Sequence, residues 1–234
     1  MFESSSHPEH NTQRAAQSLE IADRIITALS LQRLDEGDPD VPTFYPNQVP
    51  VILTPGYDPV PERCGCHGHL LSSPTLGEQG IYATSFTYHP PWCEKGAHND
   101  NDNRKEECRR ICWSALSLMS SYTATCAVFH QKPVSLRLTD PSNYRILFPG
   151  EAFERVHGPT IQSTKQSVWA LYCRSMLLWN AVSQRQHDDW SSDMRARYAI
   201  DAFHEVRSIQ EAADMHQCNL DTALLYLCRE YLYK

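Results

Sequence analysis

Glycine is scarce here: nine in 234 residues. Phosphate cradles are built from glycine-rich backbone whose N–H groups point at the anion, so this chain has few places for one. Neither G-x-x-x-x-G-K-[ST] nor G-x-G-x-x-G occurs, and the G-x-S-x-G elbow and H-E-x-x-H are missing too. The usual grounds for proposing a nucleotide-dependent enzyme, a serine hydrolase or a zinc protease are therefore absent. No apolar run approaches the roughly 20 residues that span a bilayer. The first residues, MFESSSHPEH, contain no apolar secretory core. Positive charge is also short. Residues 1–103 hold 5 Lys/Arg against 14 Asp/Glu, and residues 104–234 hold 16 against 14. Duplex DNA is bound by cation clusters that displace counterions, and an acidic chain of net charge −7 starts with the wrong sign.

What is present suits a globular protein. Hydrophobic residues make up 41% and charged residues 21%, near ordinary values, so wholesale disorder is not expected. The length allows one large domain or two small ones. The nine cysteines are odd in number and scattered from Cys64 to Cys228, which fits reduced thiols in the cytosol or nucleus better than a secreted disulfide framework. No internal repeat of solenoid period is visible.

The patterning points to an all-α fold: an irregular helical bundle with a long proline-rich loop segment. Residues 12–34 read as a first helix, with Leu19, Ala22, Ile26 and Leu29 inward and Ile25 widening the stripe. Gly37 and Pro39 stop it. Residues 36–103 hold ten of the fifteen prolines and read as an acidic loop segment, much of it mobile, with Val49–Leu53 as a short extended stretch. The AHNDNDN run at 97–103 reads as polar linker. Residues 104–130 carry the cleanest helical period: Cys108, Cys112, Ala115, Met119, Tyr122, Cys126 and Phe129 step by alternating fours and threes. Asp140-Pro141-Ser142-Asn143 is a turn signal, followed by Tyr144, Ile146, Leu147 and Phe148 as buried residues. A central helix, apolar on most faces, is expected from a capping box at Ser163 and Gln166 through Val182. A fourth helix is read over 190–216, with Met194, Tyr198, Ala202, Phe203, Val206, Ile209 and Ala213 inward and charges paired at Arg197/Asp201 and Arg207/Glu211. A fifth follows, with Leu220, Leu224, Leu227, Cys228 and Tyr231 inward. It is still extending its apolar face at Lys234, so the helical region is expected to continue in longer relatives. The expected organisation is an N-terminal helix (1–35) on the main domain, the loop segment (36–103) and a helical domain (104–234).

Three constellations invite a chemical reading. Cys64, Cys66, His67 and His69 place four borderline-soft donors in one loop, with His89, Cys93 and His98 nearby in sequence; zinc takes such donors in tetrahedral geometry. The spacing is not that of a zinc finger, and a turn-rich loop explains the glycines equally well. Cys108 and Cys112, with Cys126 beyond, share the core stripe of a helix and read as small apolar filler. His187-Asp188-Asp189 resembles a divalent-metal cluster, but either aspartate also suits a helix start. On balance no catalytic, cofactor-binding or metal-ligating residue is assigned.

The stretch Glu107-Cys-Arg-Arg-Ile-Cys-Trp-Ser-Ala-Leu116 resembles a helix of fungal-specific transcription factors, whose all-helical middle homology region has a similar Arg-Arg-x-x-Trp core. Leu138-Thr-Asp-Pro-Ser-Asn-Tyr-Arg-Ile-Leu-Phe-Pro-Gly-Glu151 and Ser167-Val-Trp-Ala-Leu-Tyr-Cys-Arg-Ser-Met-Leu-Leu-Trp179 are similar to further segments of that region. The resemblance covers 104–234. It implies a non-enzymatic nuclear regulator that meets protein partners of the transcription machinery, or a ligand, without a cofactor. In that family DNA is read by a separate cluster of six cysteines binding two zinc ions. No such spacing occurs among these nine cysteines, so direct DNA binding by this chain is not expected. Two other readings stand beside it: a helical interaction scaffold outside transcription, and a metal-dependent helical enzyme using His187–Asp189 or Cys64–His69.

Overall fold

A computed structural model describes residues 12–52, 100–152, 155, 165–185, 190–215 and 228. Among these there are four α-helices and no strand: α1 (Thr12–Ala28), α2 (Asp100–Val128), α3 (Val168–Arg185) and α4 (Ser192–Met215). Short 3-10 turns at Leu31–Arg33, Arg137–Thr139 and Pro141–Asn143 join them. The all-α class expected from the patterning is what folds.

α3 divides the core. Ala170, Cys173, Met176 and Leu177 face a cluster shared with α1, α2 and the 136–148 segment. Leu171, Leu178, Trp179 and Val182 face a second cluster shared with α4 and Cys228. A helix buried on two opposite sides must be apolar nearly all round, and this one is. It opens at Ser167, whose Oγ accepts from the Ala170 N–H at 3.2 Å. That is four residues after Ser163, which lies outside the described residues. Replacing this N-cap, Ser167→Ala, is expected to cost about 1 kcal/mol, read as a lower urea midpoint.

α2 extends further than its sequence pattern suggested. It begins at Asp100, so part of the polar run at 97–103 is helical, and it ends at Val128. Its end is a left-handed residue, His130 at φ 53°, with Gln131 N–H donating to the Cys126 carbonyl and His130 N–H to Ala127. This satisfies carbonyls that a helix end would leave open. The uncharged stretch 111–128 also corrects the expectation that nothing here is long and apolar enough to cross a membrane. By length and composition it is; in the fold its Cys112, Trp113, Leu116 and Met119 face is packed into the first cluster.

Several expected inward residues point outward. Ile25 and Leu29 are 54% and 63% exposed, Phe129 62% and Met194 51%. On α1 the buried row is Ala16, Leu19, Asp23 and Ile26. A carboxylate joins the buried row, because Asp23 Oδ1 accepts from the Leu138 N–H at 2.8 Å. Phe129 and Met194 lie at or beyond helix ends, where the helical phase persists but the packing neighbour has run out. Arg207 and Glu211 do pair, at 2.6 Å.

The described part of the proline-rich segment is irregular but fastened down. Gln32 and Asp35 exchange backbone hydrogen bonds with Arg145, at 2.8 and 3.1 Å. Arg155 donates to both carboxylate oxygens of Asp38, at 3.0 and 2.9 Å, and Asp38 Oδ1 also accepts from the Asp40 N–H at 2.9 Å. Phe44 and Ile52 sit in the first cluster. The expected extended stretch at 49–53 makes no strand over 49–52, and Leu53 lies outside the described residues. The fifth helix also lies outside them, apart from Cys228, which is helical and buried.

Candidate functional site

Cys64, Cys66, His67, His69, His89, Cys93, His98, His187, Asp188 and Asp189 all lie outside the described residues. Cys112 and Cys126 are buried in the core and Cys108 is half-buried on the same helix. Burial pushes the Cys112 thiol up to about 12, so it stays protonated and behaves as an apolar filler. Among the described residues no three His, Cys, Asp or Glu side chains converge as a metal set.

The buried charges are paired off in structural roles. Arg109 sends two bonds to Asp35, 2.7 Å to Oδ1 and 2.9 Å to Oδ2. Burial works to lower the Arg109 pKa, but the Asp35 and Glu106 carboxylates outweigh it and hold the guanidinium charged. Asp35 also accepts the Leu147 N–H, and Glu106 the Gly150 N–H. Four positions later Trp113 donates its Nε1–H to the Leu147 carbonyl at 2.9 Å. The indole stacks on Tyr144 and Phe148, each with ring centroids 5.4 Å away. Arg110 turns back to Glu106 at 3.2 Å. The Arg-Arg-x-x-Trp motif is thus a clamp holding the 35 and 144–150 segments against α2. A second pair, Arg174–Glu205, ties α3 to α4 at 2.7 Å. Between α2 and α3 a polar ladder runs from Trp179 Nε1 to Thr123 Oγ1, then to Asn180 Oδ1, with Asn180 Nδ2 donating to Ser120 Oγ. Each of these groups has its partner, and none presents a nucleophile beside a base.

The open chemistry lies elsewhere, in a groove of about 900 Å³. One wall is the last turns of α1 (Asp23, Arg24, Thr27). The opposite rim is the 132–143 segment, including Lys132, Arg137 and Asp140. Thr123 of α2 and Gln184 at the end of α3 complete it. A smaller pocket of about 470 Å³ adjoins it, sharing Thr27, Arg137 and Asn143 and adding Gln32. The rim is held in place by the Leu138–Asp23 bond, by Gln184 Nε2 donating to Thr139 Oγ1, and by the Pro141–Asn143 turn. Asp140 caps that turn, accepting from Ser142 N–H at 2.9 Å. Ligand pockets fall in the same size range. No local pattern in the sequence marks this site, because its walls come from segments about a hundred residues apart.

Compared with models of protein families, with curated proteins and with solved structures, the chain matches none.

Proposed function

We propose that this chain is the regulatory region of a fungal transcription factor, acting in the nucleus through protein or ligand contacts and performing no catalysis. The observation that supports the reading is how the three resembling stretches assemble. Trp113 and Arg109 of the first stretch hold the backbone and rings of the second at Tyr144, Leu147 and Phe148. The third stretch, on α3, packs against both from the other side. Segments that share a family's order along the chain here share one core. In a region of this kind the motif residues serve architecture, and the surface carries the contacts with partners of the transcription machinery. The chain itself is not expected to hold duplex DNA, given its net charge of −7.

The test joins the full chain to an unrelated sequence-specific DNA-binding domain in a fungal reporter strain, with a fluorescent tag on the unfused chain. Nuclear accumulation and a clear rise or fall in reporter output are expected, with no shift of duplex DNA by the chain alone at physiological salt. Exclusion from the nucleus together with an inert fusion would favour a scaffold outside transcription. Tight, sequence-specific DNA binding by the chain would refute the reading.

A further inference from the structure

Helix α1 buries one side and carries apolar residues on the other as well. Its inner row is Ala16, Leu19, Asp23 and Ile26. On the outer side Ile21, Ile25 and Leu29 follow one another at four-residue steps, 49%, 54% and 63% exposed. A surface helix ordinarily keeps that side for polar and charged residues, because an exposed isoleucine or leucine leaves apolar area in water. Residues four apart on a helix are neighbours, so these three form a continuous stripe. A stripe marks an interaction surface where a single exposed side chain would not.

The two edges of the stripe differ. One carries Glu20 and Arg24, both exposed, and the other Ala15 and Ala22, both half-buried. Glu20 and Arg24 stand four residues apart in the order that favours a pair within one helix. Among the described residues, however, neither forms an ion pair. An edge with one charge of each sign is complementary to itself when its order is reversed. Two copies of α1 lying antiparallel about a two-fold axis bring like edges together in reversed order. Glu20 of each copy then faces the partner's Arg24, and Ile21 faces the partner's Ile25. A parallel pair would set the charged edge of one copy against the alanine edge of the other and leave both charges unmatched. The helix dipole favours the same choice. α1 has no acidic residue in its first turn and no basic residue in its last, so the opposite end of an antiparallel partner offsets the partial charge at each terminus.

We infer that the outer face of α1 is a self-association surface, joining this chain to a second copy as an antiparallel dimer. A contact along one helix of 17 residues covers less than the roughly 800 Å² per partner of a standard interface, so the dimer is weak, with a Kd on the order of 10–100 μM. The inference does not rest on the transcriptional reading, and its test is the association state.

Sedimentation equilibrium of the full chain at low salt, from about 5 to about 500 μM, is expected to show a monomer–dimer equilibrium. Ile25→Glu puts a carboxylate against the partner's apolar stripe and should weaken association at least about tenfold. Its helix content and unfolding midpoint should match the parent's, because Ile25 faces away from the core. The charged edge gives the sharper test. Glu20→Arg leaves only cations there and Arg24→Glu only carboxylates, so each variant alone should associate about three- to tenfold more weakly. Mixed in equal amounts, the two should recover the parent's affinity, since each supplies the charges that the other lacks. A chain that stays monomeric throughout overturns the proposal and gives the stripe to a different protein or to other residues of this chain. Ile25→Glu associating as the parent does, or a mixture no tighter than its two components, overturns it equally.

Discussion

Trp113→Ala is expected to remove about 3–5 kcal/mol of stability. Trp113 is essentially fully buried, stacked on Tyr144 and Phe148, and bonded to the Leu147 carbonyl. Truncation leaves a cavity beside both rings and strips a buried carbonyl of its donor, which adds roughly 1 kcal/mol to the packing loss. Domains of this kind have about 5–15 kcal/mol in total, so a third or more of it goes with one side chain. Urea unfolding followed by tryptophan fluorescence measures the change, and near-ultraviolet circular dichroism reports the loss of the ring stack. Trp113→Phe keeps a ring in the slot and gives up the hydrogen bond, so its cost should be smaller. A loss below about 1 kcal/mol for the alanine variant would mean that the stack does not hold the 144–150 segment as described.

Arg174→Met is expected to cost about 3–5 kcal/mol at neutral pH, because it strands the Glu205 carboxylate in the core. Both side chains are 2% exposed. Burial raises the Glu205 pKa above 4.5, and the attraction of Arg174 only partly offsets it. The sign of the pH dependence follows. A carboxyl whose folded pKa is raised takes up its proton more readily folded than unfolded. Its contribution is therefore fully present below 4.5 and is lost as pH rises through the folded value. In Arg174→Met the cation is gone, so this dependence steepens and the deficit shrinks on acidification. The double variant Arg174→Met/Glu205→Leu removes both charges and should lie within about 1 kcal/mol of the parent or above it. Denaturant unfolding at neutral and mildly acidic pH separates the three proteins. Equal losses in single and double variants would show that the pair is a net source of stability.

These two sites differ in how far the residues announced them. Trp113 lies beside the seven-residue stripe of α2, and Tyr144 and Phe148 follow a turn signal that forms as expected, so their burial was legible. Their stacking was not, since nothing in a helical period says which ring from a later segment will meet it. Arg109 and Arg110 stand outside the apolar stripe of α2, and nothing in the helical period marks either for burial. Arg109 is buried because Asp35, 74 residues earlier, meets its guanidinium with two oxygens. Arg174 sat in an apolar helix with no charged neighbour at helical spacing, and its partner lies 31 residues on.

The misjudged faces have a common cause. Ile25, Leu29, Phe129 and Met194 obey the helical period and are exposed all the same. A period determines the angle at which a side chain leaves its helix, not whether another element stands opposite. Asp23 makes the converse case: a carboxylate turned inward because a backbone N–H of the 136–139 turn needed an acceptor.

By itself, then, the sequence determined the helical class, the positions of α2, α3 and α4, the turn at 140–143 and the burial of 144–148. All of these follow from spacing, proline and side-chain polarity, which act over a few residues. Tertiary structure alone decided the Arg109–Asp35 clamp, the Arg174–Glu205 tie, the doubly buried role of α3 and the groove. Arg24, Thr27, Gln32, Lys132 and Arg137 come from segments with no local relation to one another. Charge pairing and concavity depend on which distant segments meet, and that is settled only when the two core clusters close on either side of α3.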